Sequence, residues 1–145
     1  MIEFDRIATD NEQFKQVLRL RYELLDMPVG APEISVPSEN DNNPKNSNFV
    51  AIDSKQVVSA ARLDRVTDTE FVVRRMVTSP EYQRKGIGRS IMLLMELFAK
   101  ESSGELIRLN STPYALPFYR SLGYHITGNS VDWAGVRHPE MIKTI

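Results

Sequence analysis

The run Val77-Thr-Ser-Pro-Glu-Tyr-Gln-Arg-Lys-Gly-Ile-Gly-Arg89 holds the residue types and spacing best suited to chemistry, those of an anion cradle. Gly86 and Gly88 let the backbone turn tightly and approach a ligand, so that successive N–H groups at a helix start converge on phosphate oxygens. Arg84, Lys85 and Arg89 set positive charge around the same turn. Spacing separates this run from two other phosphate turns. A dinucleotide fingerprint requires a third glycine where the chain has Ile91, and a P-loop requires Gly-Lys followed by Ser or Thr, whereas Lys85 precedes its glycine.

The elements that position the cradle are written on either side of it. Upstream, Glu70-Phe-Val-Val-Arg-Arg-Met-Val77 is rich in strand formers and leads through Pro80 into the turn. Downstream, Ile91, Leu94, Met95 and Phe98 recur at i, i+3, i+4 and i+7, which predicts a helix with one buried face that stops near Gly104. Leu106-Ile-Arg-Leu109 predicts a short strand, and residues 111–123 a short helix. Thr112 suits its cap, Pro113 its first position and Gly123 its end, while the late Pro117 predicts an irregular start.

Gln83-x-x-Gly86-x-Gly88 resembles the pyrophosphate-binding turn of the GNAT superfamily of acyl-CoA-dependent N-acetyltransferases. Ala115-Leu-Pro-Phe-Tyr-Arg-Ser-Leu-Gly-Tyr124 is similar to that family's second signature, in which an aromatic pair and a Leu-Gly-aromatic ending flank the cofactor thiol. The resemblance is strong over residues 47–128, and Gly135-Val-Arg-His-Pro-Glu-Met141 resembles the ending of some uncharacterised members. It implies an α/β (α+β, three-layer) fold: a mixed, mostly antiparallel sheet of about six to seven strands, flanked by about four helices and splayed between the fourth and fifth strands. It implies a single domain over residues 1–145. The implied reaction is direct attack by a primary amine, of a small molecule or a protein, on acetyl-CoA in a ternary complex, with no metal. A homodimer is compatible with the resemblance.

In such a site charge builds on the thioester oxygen as the amine attacks, and coenzyme A leaves as thiolate or thiol. The resemblance implies that Arg75, Met76 and Val77 give backbone bonds to the pantetheine arm, with an amide there near the carbonyl oxygen. It implies that Gln83, Arg84, Lys85, Gly86, Ile87, Gly88 and Arg89 hold the pyrophosphate. Tyr119 takes the position whose phenol faces the departing sulfur. With an ordinary pKa of about 10 a tyrosine is protonated at neutral pH and can serve as general acid; Phe118 and Tyr119 equally suit plain packing of the helix on the sheet. Where many relatives carry an asparagine that bonds the pantetheine, this chain has Thr112, with Asn110 or the Thr112 hydroxyl as substitutes.

Glu70 is the nearest general base, and a bulge expected near Arg75 bears on the face it presents. Arg75 alternatively binds a substrate carboxylate or closes a salt bridge within the sheet. Tyr114 and Tyr124 are read as structural. His125 and His138 lack the spaced partners of a metal site, although His138 could border the acceptor from the last strand.

Composition limits the other classes. Eighteen basic against nineteen acidic side chains give no electrostatic mandate for nucleic acid or membrane, and the 145-residue length suits one domain. The absence of cysteine excludes disulfides and thiolate chemistry. No apolar run is long enough to span a bilayer and the first residues do not read as a signal sequence, so a cytoplasmic address is expected. The alternative from another class is a regulatory module that binds acyl-CoA without turning it over.

The rest of the chain reads as a first strand at Ile2 and Phe4, then a helix begun by Asp10 or Asn11 with Phe14, Val17, Leu18, Arg21 and Leu25 on one face. Residues 27–48 predict a long loop with one helical turn, in which Glu33, Glu39 and Asp41 favour an amine-bearing acceptor entering against the carboxyl-terminal strands. Phe49-Val-Ala-Ile52 and residues 57–63 predict antiparallel strands joined near Ser54-Lys55. Residues 124–131 continue the sheet and residues 141–145 add a last strand.

Overall fold

Runs of β-branched and aromatic residues form seven strands in the computed structural model, which describes residues 1–145: β1 (Ile2–Ile7), β2 (Asn46–Asp53), β3 (Gln56–Arg65), β4 (Glu70–Thr78), β5 (Leu106–Asn110), β6 (His125–Trp133) and β7 (Val136–Thr144). The α-helices are α1 (Phe14–Arg21), α2 (Glu39–Asn42), α3 (Ile87–Glu101) and α4 (Leu116–Ser121). The strands join in one mixed sheet of order β1-β2-β3-β4-β5-β7-β6. The chain divides into two compact units, Met1–Asp64 with Arg74–Met95, and Arg65–Val73 with Glu96–Ile145.

In the first unit β1, β2 and β3 run antiparallel. Ser54 and Lys55 both have positive φ, the backbone of the two-residue turn whose twist matches that of the strands it joins. Phe14, Val17 and Leu18 of α1 pack with Ile7, Val50, Val57, Ala60 and Val77 in a buried cluster. The helix starts later than Asp10 or Asn11, because Asn11 first closes a turn. Its side chain accepts the Gln13 N–H at 2.9 Å and its carbonyl accepts the Phe14 N–H at 2.9 Å. Past Arg21 the helix widens into a π segment, Tyr22–Asp26, and then tightens into a 3₁₀ turn, Met27–Val29. The single α-turn in the long loop is α2. It is held by a capping box in which Ser38 and Asp41 each bond the other's backbone N–H.

In the second unit β4 and β5 pair in parallel over Glu70↔Leu106, Phe71↔Ile107 and Val72↔Arg108. That ladder ends at Val72, and β4 runs on to Thr78. β7 then pairs antiparallel with both β5 and β6. The last strand begins at Val136, five residues before the expected start, across a turn at Ala134 and Gly135 that both have positive φ. Pro139 hides it in the sequence, since proline argues against a strand. Here it pairs opposite Ser130, where the register of β6 shifts past Gly128.

Helix α3 ends three residues before Gly104, and the left-handed residue at its close is Ser103. Gly104 is needed for closeness instead. A Cβ there would lie 2.7 Å from both the Ala99 carbonyl oxygen and the Phe71 ring. The fully buried positions of α3 are Ile91, Met92, Met95 and Ala99, a stripe rotated slightly from the predicted one, with Leu94 and Phe98 half-buried beside it. No helix is long and apolar enough to cross a membrane.

Candidate active site

The anion turn occupies the approach to α3. Past β4, Ser79 donates its N–H to the Val58 carbonyl at 2.8 Å and a 3₁₀ turn covers Pro80–Tyr82. The Tyr82 hydroxyl donates to Asp53 at 2.6 Å and the Gln83 amide to the Thr78 carbonyl at 3.1 Å, so both side chains pin the turn to neighbouring strands. Arg84 (φ +62°) and Gly86 (φ +79°) are left-handed, whereas Gly88 lies inside the first turn of α3. The first bond of the helix runs from the Ser90 N–H to the Gly86 carbonyl, so helical geometry gives the N–H groups of Gly86, Ile87, Gly88 and Arg89 no intrahelical acceptor. The space that a Cβ would take at Gly86 is open. The first turn of α3 carries no acid, and Arg84, Lys85 and Arg89 are exposed. Cations beside a helix N-terminus oppose its dipole by about 0.3–1 kcal/mol each, so the turn is electrostatically suited to an anion.

β4 carries a second irregularity. Ser54, Lys55, Ser103 and Ala134 have positive φ at hairpin turns or a helix end, where it is ordinary, but Arg75 (φ +55°) lies inside a strand. A left-handed residue there bends the strand where a bulge was expected, and costs a non-glycine residue roughly 1–2 kcal/mol. Arg75 and Met76 are half-buried and Val77 is buried; the Val77 carbonyl accepts the Ser59 hydroxyl at 2.8 Å. The Arg75 guanidinium meets both oxygens of Asp26, at 3.0 and 2.8 Å. The salt bridge reading therefore holds, but its partner comes from the π segment and not from the sheet. With both arms of the fork engaged, Arg75 is not offered to a substrate carboxylate.

The second unit holds the remaining expected residues. Tyr119 is 8% exposed on α4, with Phe118 edge-on at 5.0 Å and Tyr124 at 6.1 Å. Burial, with a smaller push from Tyr114, raises its pKa to about 12. Asn110, at the end of β5, gives its amide to the His138 carbonyl at 3.3 Å. Thr112 closes the 3₁₀ turn Pro113–Ala115 through its backbone carbonyl, and its hydroxyl does not cap it as expected, because Ser111 and Ala115 both donate to that carbonyl. Glu70 is half-buried at the start of β4, where its backbone closes the hairpin on Val66 and Thr67.

Tyr124 is structural as read. Its hydroxyl donates to Glu96 at 2.9 Å, and burial followed by Glu96 pushes its pKa far above the usual value. Tyr114 is not; it points outward from the 3₁₀ turn and is 86% exposed. His138 is nearly buried, its Nδ1 donating to the Val136 carbonyl at 2.8 Å.

A model of the acetyltransferase (GNAT) domain matches residues 33–145, most of the chain. The chain belongs to the GNAT acetyltransferase family. It is 27% identical over 139 residues, 94% of this chain and 96% of the relative, to an uncharacterized N-acetyltransferase of Bacillus subtilis, YjcF. Among solved structures it is similar to Escherichia coli ElaA, with a TM-score of 0.84 at 17% identity over 99% of both chains. It is also similar to an aminoglycoside 6′-N-acetyltransferase complexed with coenzyme A, with a TM-score of 0.83 at 17% identity over 98% of this chain and 96% of that one. At such identities these structures bear on the fold. The family is one of acyl-CoA-dependent N-acyltransferases, and the seven-stranded sheet with its parallel β4–β5 pair is the GNAT fold.

This GNAT chain also buries charges that the sequence reading did not pair. In the first unit Asp41 of α2 meets Arg21 of α1 at 2.9 Å and Arg62 of β3 at 3.0 Å, and Arg62 meets Asp64 at 2.6 Å. Burial pushes the Asp41 carboxyl up, but hydrogen bonds from Arg21, the Ser38 amide and Arg62 outweigh it and hold the pKa at about 2. Burial pulls Arg21 below its usual value; at Arg62 burial pulls the same way, but Asp64 and Asp41 together outweigh it and lift the group above its usual value. The signal was present, since Arg21 stands on the apolar stripe of α1 and Arg62 lies between Ala61 and Leu63 in β3. The expectation that loop acids attract an amine is corrected accordingly. Asp41 is spent on two arginines and Glu33 on Arg19 at 3.0 Å, which leaves Glu39.

Proposed function

We propose that this protein transfers an acetyl group from acetyl-CoA to a primary amine, of a small molecule or a protein, by direct attack in a ternary complex, and that residues 1–145 act as one cytoplasmic catalytic domain. The observation that carries this reading is the start of α3. Helix-start N–H groups without an intrahelical acceptor, open space at Gly86 and exposed Arg84, Lys85 and Arg89 together suit a pyrophosphate. Backbone groups from Gln83 to Arg89 would hold it, and those of Arg75, Met76 and Val77 would hold the pantetheine arm. The peptide after the left-handed Arg75 would direct an amide to the thioester oxygen as charge builds there. Asn110 and Thr112 remain the proposed polar contacts from β5 and the turn after it.

Tyr119 would donate to the departing sulfur. Its raised pKa keeps the phenol protonated through the physiological range. Glu70 would take the amine's proton. The proton would reach it directly or through a relay of waters.

The test is release of free thiol from acetyl-CoA across a panel of polyamines, amino acids, aminoglycosides and peptide amino-termini. Amine-dependent thiol release supports the transferase. Saturable acetyl-CoA binding with no turnover of any amine would favour the regulatory binding module instead.

The cradle makes a further prediction of opposite signs. Arg89→Glu places a carboxylate in the first turn of α3, where it complements the helix dipole. Without ligand the variant should unfold about 1–3 °C higher than the parent, and acetyl-CoA should bind at least about fivefold more weakly. Calorimetric titration and thermal unfolding read the two effects, and equal binding by both proteins would remove Arg89 from the site.

A further inference from the structure

We infer that Asp26 is a positioning residue for acyl transfer: its ion pair with Arg75 holds the left-handed backbone of β4 that aims the Met76 amide. This rests on the acyl-transfer reading above. A strand position that needs positive φ is most simply filled by glycine, which adopts it freely. This chain uses arginine there and fixes the side chain at its far end, Nη1 on Oδ1 at 3.0 Å and Nη2 on Oδ2 at 2.8 Å. A two-point fork sets the direction of the guanidinium as well as its distance.

The anchor is itself held. Asp26 closes the π segment Tyr22–Asp26, its carbonyl accepts the Ala31 N–H at 3.0 Å, and its side chain is 10% exposed against 30% for Arg75. Single-turn π segments are often found at functional sites. Here the widening ends at the residue that reaches Arg75. A strained backbone that persists because a side chain is clamped, beside amides with a chemical task, is the pattern expected of preorganisation. Neighbouring charges have other partners. Arg21 and Arg62 share Asp41, and Arg74 lies 3.7 Å from Asp64.

Asp26→Ala and the double variant Asp26→Ala/Arg75→Gly separate this role from simple stabilisation. In Asp26→Ala, kcat should fall about tenfold or more while KM for acetyl-CoA rises by a clearly smaller factor, because the amide is misaimed in the transition state while the turn before α3 still binds the pyrophosphate. Glycine holds a left-handed backbone without a clamp, so the double variant should regain at least about fivefold in kcat over Asp26→Ala. Full activity in Asp26→Ala, or a double variant no faster than it, would overturn the inference. A crystal structure of Asp26→Ala provides a reading independent of turnover: residue 75 should leave the left-handed region, and φ unchanged near +55° would refute the clamp. If the parent protein acetylates no amine, the function fails while that backbone result still judges the clamp.

Discussion

Replacing Tyr119 with phenylalanine is expected to lower kcat about a hundredfold while the dissociation constant of acetyl-CoA stays within about twofold. Phenylalanine keeps the ring between Phe118 and Tyr124 and removes only the hydroxyl, so packing is preserved and the loss reports on chemistry. At a pKa of about 12 the phenol is a weaker acid than an ordinary thiol near about 8.5, and a completed proton transfer to thiolate would run uphill by about 5 kcal/mol. In the proposed mechanism it would therefore give a hydrogen bond that strengthens as charge gathers on sulfur, with transfer finished as the products part. The pH profile carries the same signature. The rate should rise as the amine loses its proton and show no decline from the phenol until pH nears about 12. A decline centred near pH 10 would assign an ordinary tyrosine, and unchanged kcat in Tyr119→Phe would take the residue out of the mechanism.

The largest stability effect is expected at Asp41. Asp41→Asn leaves Arg21 and Arg62 buried without their shared carboxylate, and breaking a buried ion network in this way costs about 3–5 kcal/mol. Thermal unfolding should drop by roughly 10 °C. The folded pKa of about 2 lies below the unfolded value, so the charged carboxylate contributes stability in full above pH about 4 to 5 and loses it as pH falls through about 2. That titration is worth about 2–3 kcal/mol and should vanish from the acid-unfolding curve of Asp41→Asn. A variant within 1 °C of the parent, with the same acid slope, would contradict the account of the cluster.

Local chemistry explains what could be read from the chain. The Ser54-Lys55 hairpin, the strand of Glu70 to Thr78 and the glycine turn before α3 are each specified by neighbouring residues, and each stands where the sequence placed it. Nothing in an arginine announces the positive φ of residue 75. The π segment after Arg21 continues a helical pattern without a local break, so periodicity did not separate it from α1. The start of β7 was hidden by Pro139, whose strand position depends on its partner Ser130 and on the shifted register of β6. The charge network was hidden for the same reason. Arg21, Asp41 and Arg62 lie on three elements, and their pairing is a tertiary fact. Asp26 gave no signal until Arg75 was found against it.

The central claim is that the turn before α3 binds acyl-CoA, and thermal unfolding with and without acetyl-CoA tests it most directly. At about 100 times its dissociation constant a ligand adds about 2.7 kcal/mol, a rise of about 5–10 °C for a chain of this size. Such a rise with acetyl-CoA is the predicted result. No shift with acetyl-CoA, coenzyme A or any longer acyl-CoA at millimolar concentration would contradict it.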